Sequence, residues 1–265
     1  MKRTRRHALG QHFLANRSVL QKIVRVIAPT ESDVILEIGA GKGALTFALA
    51  EGAGHVTAIE KDPSLLPFLR DKEGPRLTVI EADVLDVDFR EVLKMAGARP
   101  GGAKLVGNLP YSISSPILFK ALDSGDLFAR CVFLIQKEVA ERVCARPHSK
   151  DYAPLSILVQ NAFEARIEFK ISPGSFAPPP RVDSAVISLT KRAQPLYPVA
   201  DEARFRALLW AAFAHRRKFL IKNLEMSGIT RARIEEAFRV VGLAGNARAE
   251  ELSIGQFAAL FRSLG

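Results

Sequence analysis

Val34-Ile35-Leu36-Glu37-Ile38-Gly39-Ala40-Gly41-Lys42-Gly43-Ala44 joins a short apolar run to a glycine-rich turn. The run has the length of a strand and is bounded by turn residues, as is typical of strands buried on both faces of a sheet. Glycines in the turn adopt backbone conformations that other residues rarely reach, and they let a ligand approach the backbone closely. This stretch therefore predicts a strand, a ligand-binding turn and the start of a helix.

Strand and helix patterns alternate through the first half of the chain. The expected strands are 34–38, 56–59, 77–80, 105–106 and 131–135, and the helices between them are 44–51, 63–70, 89–95, 116–122 and 137–145. That order predicts an α/β fold with a doubly wound, Rossmann-like parallel sheet, helices on both faces and ligands at the carboxyl ends of the strands. Two later runs, 165–171 and 184–189, are expected to close the sheet as a hairpin.

The last part of the chain has a different pattern. Residues 194–200 contain two prolines and few periodic residues, which indicates a linker. Beyond it every periodic segment is helical. We therefore predict two domains, with residues 1–194 forming the α/β domain with a basic amino-terminal arm and residues 195–265 forming a small all-helical domain.

The composition indicates the kind of partner. The formal net charge of +10 points to a polyanion, because clustered Lys and Arg side chains displace counterions from phosphates. No apolar run approaches the length of a membrane span, and no secretory signal follows the basic start, so we expect a cytoplasmic protein that does not bind membranes. Cys131 and Cys144 lack the spacing of a metal site, so no metal is predicted.

The glycine turn by itself fits more than one ligand. From Gly39 it satisfies the G-x-G-x-x-G/A pattern of dinucleotide sites, so an NAD-dependent dehydrogenase is one hypothesis and a tight turn without a ligand is another. With Glu37 before it and Gly43 within it, the turn also has the acidic-G-x-G-x-G form that resembles motif I of methyltransferases. Their cofactor, S-adenosyl-L-methionine, carries a sulfonium cation and no pyrophosphate.

Two acidic residues follow the next strands. Glu60 is placed to accept hydrogen bonds from ribose hydroxyls, which fits NAD and S-adenosyl-L-methionine equally. Asp83 is placed to accept the adenine amino group in the Class I methyltransferase arrangement, and a dehydrogenase has less need of it. Each acid alone could be a solvated loop residue. As a spaced set with the glycine turn, they predict cofactor binding.

The segment Asn108-Leu109-Pro110-Tyr111 predicts the chemistry. The exocyclic amine of a base is a poor nucleophile because its lone pair is delocalised into the ring. The Asn108 side-chain oxygen and the Leu109 carbonyl could hold both N–H bonds and favour a pyramidal nitrogen. Tyr111 offers a face for base stacking, worth about 1–3 kcal/mol. The alternative is a simple turn between a strand and a helix.

Further along, Phe176 precedes a proline-rich bend and could clamp the second face of a base stacked on Tyr111. The alternative is a core phenylalanine. A general base is not needed, since the methylated amine can lose its proton to water. His12 is a conceivable base, but a structural or cofactor-contacting role is favoured.

In order along the chain, these motifs resemble the KsgA/RsmA family of ribosomal RNA adenine N6-dimethyltransferases. The matching segments are Gln11-His12-Phe13-Leu14, 37–43, Glu60, Asp83, 108–111, 176–184, 215–218, Asn223-Leu224, 248–253 and Gln256-Phe257. The carboxyl-terminal motifs resemble this family more than the related erythromycin-resistance methylases.

The resemblance implies S-adenosyl-L-methionine-dependent dimethylation of two adjacent adenines. The family's target lies in the 3′-terminal hairpin loop of 16S rRNA, and the partner is a small-subunit intermediate late in assembly. We expect a monomer. The cofactor contacts carry over to His12, Leu14, Gly39, Gly41, Glu60, Asp83 and Asn108. His12 departs from the family pattern, which usually has Asn at this position.

The basic residues are expected to hold rRNA phosphates, although a charge run is usually a solvated face. They are Arg3, Arg5 and Arg6 on the arm and Arg216, Arg217, Lys218 and Lys222 in the helical domain. Two further hypotheses stay open. One is a DNA adenine methyltransferase, against which Leu109 stands in place of the usual proline and no sequence-reading domain is recognisable. The other is an assembly checkpoint that binds the nascent subunit without catalysis.

Overall fold

Strands and helices alternate along most of the chain in the computed structural model, which describes residues 12–265. The strands are β1 (Phe13–Leu14), β2 (Val34–Ile38), β3 (His55–Glu60), β4 (Leu77–Glu81), β5 (Ala103–Asn108), β6 (Phe128–Gln136), β7 (Phe163–Ile171), β8 (Phe176–Ala177) and β9 (Ser184–Lys191). The helices are α1 (Arg17–Ile27), α2 (Ala44–Ala50), α3 (Leu66–Arg70), α4 (Phe89–Met95), α5 (Ser114–Asp123), α6 (Lys137–Val143), α7 (Pro154–Ala162), α8 (Glu202–Phe213), α9 (Leu220–Met226), α10 (Arg231–Val241) and α11 (Ile254–Leu264).

Seven strands form one sheet in the order β4-β3-β2-β5-β6-β9-β7. The first five are parallel neighbours, and β9 pairs antiparallel with β6. The predicted Rossmann-like sheet is confirmed, and the two late strands complete its far edge. A separate two-stranded ribbon pairs β1 with β8, so that Leu14 lies opposite Phe176.

Burial explains why the central strands carry so few polar residues. Ile35 and Leu36 of β2 are fully buried although they point to opposite faces of the sheet, as are Val56 of β3 and Leu105 of β5. A strand covered on both faces needs apolar side chains at consecutive positions rather than at every second one. Glu37, an acidic residue within β2, is an exception to this pattern and therefore a candidate functional residue.

Asn16 fixes the start of helix α1. The Asn16 side chain accepts hydrogen bonds from the backbone N–H groups of Ser18 and Val19, at 3.0 and 3.2 Å, and so caps the first turn. The helix ends at Ala28, whose φ of 48° is left-handed. Ile23 and Ile27 then face the sheet core, which places the preceding ribbon strand β1 beside the glycine turn of β2.

The chain divides into two units. The sheet unit contains the residues up to Ala140 and Ala165–Lys191, and the helical unit contains Glu141–Glu164 and Arg192–Gly265. This division differs from the predicted single boundary at residue 195 because Tyr152 and Ile157 are buried in the same apolar cluster as Phe205 and Leu209. Helix α7 therefore belongs to the core of the helical unit although it precedes strands β7 and β9 of the sheet.

The described part of the chain has neither a membrane-spanning helix nor a metal-binding cluster of side chains. Among residues 12–265, no helix is long and apolar enough to cross a lipid bilayer. The same residues contain no group of three or more His, Cys, Asp or Glu side chains arranged to hold a metal ion.

Candidate active site

A cavity of about 360 Å³ opens at the carboxyl ends of β2, β3, β4 and β5 in the sheet unit. This is the edge at which open α/β sheets bind their ligands. Its lining includes most of the residues that the sequence predicted for the site, namely His12, Leu14, Gly39, Gly41, Glu60, Asp83, Asn108, Leu109 and Tyr111. Residues separated by almost one hundred positions in the sequence are therefore brought together here.

The glycine turn forms one wall of the cavity. Gly39, Gly41 and Gly43 have φ angles of 71°, 61° and 84°, a left-handed backbone that favours glycine. A Cβ on Gly41 would also lie 3.2 Å from the Phe13 ring. Glycine is required here for both conformation and space, and the backbone of the turn is consequently exposed to a ligand.

Glu60 fixes that turn. Its side chain is only 5% exposed, and its two oxygens accept hydrogen bonds from the backbone N–H groups of Gly41 and Asp62, both at 2.8 Å. Each carboxylate oxygen has a second acceptor position. The residue can therefore hold the turn and still accept ribose hydroxyls.

Asp83 lies at the end of β4 with a cation beside it. Lys61 Nζ is 2.6 Å from Asp83 Oδ2, and the backbone N–H of Leu85 donates to Oδ1 at 3.0 Å. The hydrogen bond from Lys61 holds the pKa of Asp83 below its ordinary value. The side chain is thus an ionised acceptor at the cavity wall, as an adenine amino group would require.

Asn108 is oriented by the backbone of His12. Its Nδ2 donates to the His12 carbonyl oxygen at 3.0 Å. Since a carbonyl can only accept, the amide nitrogen must face His12, and the amide oxygen must take the other position. Because the contact uses the backbone of His12, it does not depend on whether that residue is His or the Asn usual in the family.

Tyr111 is held on two sides. Its hydroxyl is 2.5 Å from the Ser184 hydroxyl, and its ring lies 5.5 Å from the His12 ring, tilted by 33°. Burial raises the pKa of Tyr111, so the phenol stays neutral at physiological pH. His12 is itself fixed by a hydrogen bond of 2.8 Å between Nδ1 and the Pro178 carbonyl oxygen. Ser184 was not predicted as a site residue, because no local pattern shows that it reaches Tyr111.

Phe176 is not among the residues that line the cavity. Its side chain is 4% exposed and packs in the core of the sheet unit, where β8 pairs with β1. In this structure it is a core phenylalanine, which was the alternative interpretation. The predicted clamp on the second face of the base stays a prediction.

Glu37 was noticed in the sequence only as part of a motif, and no ligand role was predicted for it. The side chain lines the cavity, is 2% exposed, and has an oxygen, Oε2, without a hydrogen-bond partner among residues 12–265. Burial raises its pKa to about 7 against an opposing hydrogen-bonding effect of Thr46, and the neighbouring Glu60 carboxylate adds a smaller increase. The signal available in the sequence was an acidic residue inside an apolar strand.

The predicted RNA-binding residues of the helical unit are all exposed, but they differ in their partners. Arg216 lies 3.1 Å from Glu250, and Lys222 lies 2.9 Å from Glu225. Lys218 contacts the Met226 sulfur at 3.4 Å. Neither Arg217 nor Lys218 forms an ion pair within the described part of the chain. Arg3, Arg5 and Arg6 lie outside the described residues.

With this geometry in place, comparison with known proteins identifies the family. The family model described as ribosomal RNA adenine dimethylase matches residues 2–265. The chain belongs to the ribosomal RNA adenine dimethylase family. The predicted enzyme class, an rRNA adenine dimethyltransferase, is thereby confirmed over the dehydrogenase and the DNA methyltransferase.

Individual members of this dimethylase family are similar over nearly the whole chain. The chain is 45% identical to ribosomal RNA small subunit methyltransferase A of Geobacter sulfurreducens over 263 residues, which cover 98% of this chain and 95% of the relative. The protein of the same name from Alcanivorax borkumensis is 40% identical, with 97% and 89% covered.

Solved structures agree with the fold. A dimethyladenosine transferase from Plasmodium falciparum superimposes with a TM-score of 0.80 at 25% identity, covering 94% of this chain and 96% of its own. The 23S rRNA methyltransferase ErmE gives a TM-score of 0.71 at 28% identity, with 95% and 99% covered.

Proposed function

We propose that this rRNA adenine dimethyltransferase uses S-adenosyl-L-methionine to dimethylate N6 of two adjacent adenines in the 3′-terminal hairpin loop of 16S rRNA. It would act in the cytoplasm, as a monomer, on a late assembly intermediate of the small subunit. The relatives named as small subunit methyltransferases support the choice of subunit. The orientation of the Asn108 amide is the single observation that carries the chemistry.

The cavity suits a cationic cofactor better than a dinucleotide. Its volume of about 360 Å³ lies in the range of small-molecule sites. Two carboxyl groups, Glu37 and Glu60, are buried in its wall. They would repel a pyrophosphate and attract a cation. Bound S-adenosyl-L-methionine would supply an electrophilic methyl group, held by the glycine turn with Glu60 at the ribose and Asp83 at the adenine.

The opposite wall suits an adenine amine. The Asn108 oxygen, left over after Nδ2 has bonded to His12, and the Leu109 carbonyl would accept the two N–H bonds of the target nitrogen. Tyr111, fixed by Ser184, would stack on the base. These groups position the amine and favour the geometry in which its lone pair is available.

The basic residues would hold the substrate. Unpaired cations release more counterions from RNA than cations already neutralised by an acid. Arg217 and Lys218 are therefore the strongest candidates in the helical unit. Arg216 and Lys222 would contribute less because Glu250 and Glu225 already bind them. Arg5 and Arg6 stay predicted RNA contacts.

Methyl transfer from radiolabelled cofactor tests this proposal. Immature small subunits, protein-free 16S rRNA, 23S rRNA and duplex DNA are offered separately, and the hydrolysed nucleosides are then resolved. We expect N6,N6-dimethyladenosine from small-subunit substrates. Label in 23S rRNA or DNA in preference to 16S rRNA would contradict the proposed substrate.

Asn108→Ala tests the amine site. Losing one preorganised group at a reacting centre costs on the order of a hundredfold in rate. Asn108→Asp keeps an acceptor and should retain more activity than the alanine variant. Asn246→Ala, at an exposed position of the helical unit, is the control and should leave the rate unchanged. An Asn108→Ala protein that is folded and fully active would overturn the mechanism.

A further inference from the structure

A buried acid with an unpaired oxygen is unusual in a strand of the central sheet. The Glu37 side chain is 2% exposed, and its Oε2 accepts no hydrogen bond within residues 12–265. An ionised carboxylate in such a place is costly unless a cation or several donors compensate it. Because the residue lines the cavity, a ligand can provide that compensation.

Among the described residues, the charged groups around Glu37 do not neutralise it. On β3, Glu60 carries a like charge, and its oxygens already accept the N–H groups of Gly41 and Asp62. In the turn, the Lys42 ammonium lies over the Phe13 ring at 5.7 Å and the Phe68 ring at 5.8 Å. After β3, Lys61 is engaged by Asp83.

The other described residues near Glu37 are no better placed to compensate its charge. On α2, Thr46 offers a fully buried hydroxyl rather than a charge. The His12 ring lines the same cavity and bonds to the Pro178 carbonyl. The pKa of Glu37 is accordingly raised by burial to about 7, so the carboxyl is part protonated at neutral pH.

We propose that the ionised Glu37 carboxylate is the counter-charge for the sulfonium of the cofactor. Glu37 releases its proton when the cofactor binds. It takes a proton up again when the thioether product, whose sulfur carries no charge, replaces the cofactor. The inference rests on the proposed function, since it takes the ligand to be S-adenosyl-L-methionine. Methyl transfer removes the sulfonium charge, and the carboxylate then loses the charge that stabilised it. Protonation of Glu37 would thus favour exchange of product for fresh cofactor.

Calorimetric titration of the full chain measures the proton directly. Binding enthalpies are compared in two buffers of different ionisation enthalpy at pH 6, 7 and 8. With a carboxyl that titrates near 7 when free, binding should release about half a proton at pH 7, and affinity should rise about tenfold between pH 6 and 8. S-adenosylhomocysteine should release fewer protons, whereas sinefungin, which carries an amine in place of the sulfonium, should resemble the cofactor.

Two variants identify the source of the proton. Glu37→Gln keeps the shape but carries no charge, so it should bind the cofactor more weakly than the wild type at pH 6, fall behind by about a further tenfold at pH 8 and release no proton. His12→Asn, which replaces the imidazole that lines the same cavity, should still release about half a proton at pH 7. Thermal melting establishes that both are folded, and the wild-type proton count stands without either variant.

The outcomes separate the two proposals. Cofactor binding without proton release at pH 7, or equal release by the wild type and Glu37→Gln, would overturn the role of Glu37 and leave the proposed function intact. If the cofactor and the thioether product released equal numbers of protons on binding, the proposed proton uptake by Glu37 on product binding would be overturned. If no S-adenosyl-L-methionine bound at all, the proposed function would fail and the inference would fail with it.

Discussion

Glu37 and Glu60 show how two like residues on neighbouring strands take different tasks. Both are almost fully buried at the end of a parallel strand. Glu60 accepts two backbone N–H bonds and so shapes the turn, whereas within residues 12–265 Oε2 of Glu37 accepts none. The backbone N–H groups donate to Glu60 whether or not a ligand is bound. The protonation of a buried carboxyl group with an unpaired oxygen, by contrast, depends on the ligand beside it. Glu60 therefore shapes the turn whichever ligand is bound, whereas the proposed proton exchange belongs to Glu37.

Gly107 provides a residue-scale prediction about stability. It pairs with Ile38, and a Cβ at this position would lie 2.5 Å from the Ile38 carbonyl oxygen and 3.0 Å from Leu109 Cδ2. Gly107→Ala must therefore separate β2 from β5 at the point where the glycine turn meets Asn108. We expect a loss of about 1–3 kcal/mol in unfolding free energy, measured with denaturant, and weaker cofactor binding.

Gly102→Ala is the matched control for that change. The nearest atoms to its added Cβ belong to Arg99, at 3.5 Å, which is ordinary contact. Its stability should equal or slightly exceed that of the wild type, since alanine restricts the unfolded chain. Equal stability of the Gly107→Ala and wild-type proteins would show that the two strands do not need their close approach.

At the scale of elements, Lys104 joins helix α1 to the sheet. Its ammonium donates to the carbonyl oxygens of Ile27 and Ala28 at 3.1 and 2.8 Å and to Asp33 Oδ2 at 2.7 Å. The last carbonyls of a helix have no partner within it, and a cation there satisfies them. One side chain of β5 thus fixes the end of α1, the helix that carries Ile23 and Leu20 of the cavity wall.

Asp33→Asn should weaken this junction in a pH-dependent manner. Burial opposes ionisation, but hydrogen bonds from Lys104 and Thr30 hold the pKa of Asp33 below its ordinary value of 3.8. The stability from this lowered pKa is present above about pH 4 and is lost as the pH falls through the folded-state pKa. We expect the substitution to cost about 1.5–3 kcal/mol at pH 7 and less near pH 3, measured by denaturant unfolding.

Asp126→Asn is the comparison for an exposed pair. Asp126 lies 2.6 Å from Arg90, but both side chains are more than half exposed. Such pairs contribute little because water screens them. If the two substitutions had the same effect at both pH values, the role assigned to the Lys104 junction would be wrong.

Elements also show what the sequence could predict. The five parallel strands and the site residues at their ends follow from local periodicity, since the end of each strand is marked by a turn. The antiparallel pairing of β9 with β6, with β7 beyond it, depends on contacts between distant segments. The same is true of the apolar core that α7 joins and of the burial of Phe176. It is also true of the acids that pair with Arg216 and Lys222. In each case a partner from elsewhere in the chain determines the outcome.

At the scale of the whole molecule, the buried acids and the exposed basic cluster lie in different surroundings. The net charge is +10, yet the cavity wall of the sheet unit holds the buried carboxyl groups of Glu37 and Glu60. Exposed cations of the helical unit include Arg216, Arg217 and Lys218. A small cationic cofactor requires negative groups beside it, and a polyanionic substrate requires positive ones. The buried carboxyl groups suit the first, and the exposed cations suit the second.

Salt dependence of RNA binding tests the cationic surface of residues 216–222. With the 16S hairpin as ligand, the slope of log affinity against log salt measures released counterions. Arg217→Ala should reduce that slope by about 0.7–0.9, because within the described chain this guanidinium has no acid partner. Arg216→Ala should reduce it less, since Glu250 already neutralises that side chain at 3.1 Å. Glu250→Gln should for the same reason strengthen binding.

Arg239→Ala supplies the control, because Arg239 is exposed on α10 of the same unit and pairs with Glu236. A uniform net-charge effect would change the slope equally for any lost arginine. A specific surface would change it more for Arg216, which is also ion-paired, than for Arg239. Since the Arg216→Ala and Arg239→Ala variants each lose one paired positive charge, equal slopes would mean that the overall charge attracts the RNA and that residues 216–222 do not form its contact surface.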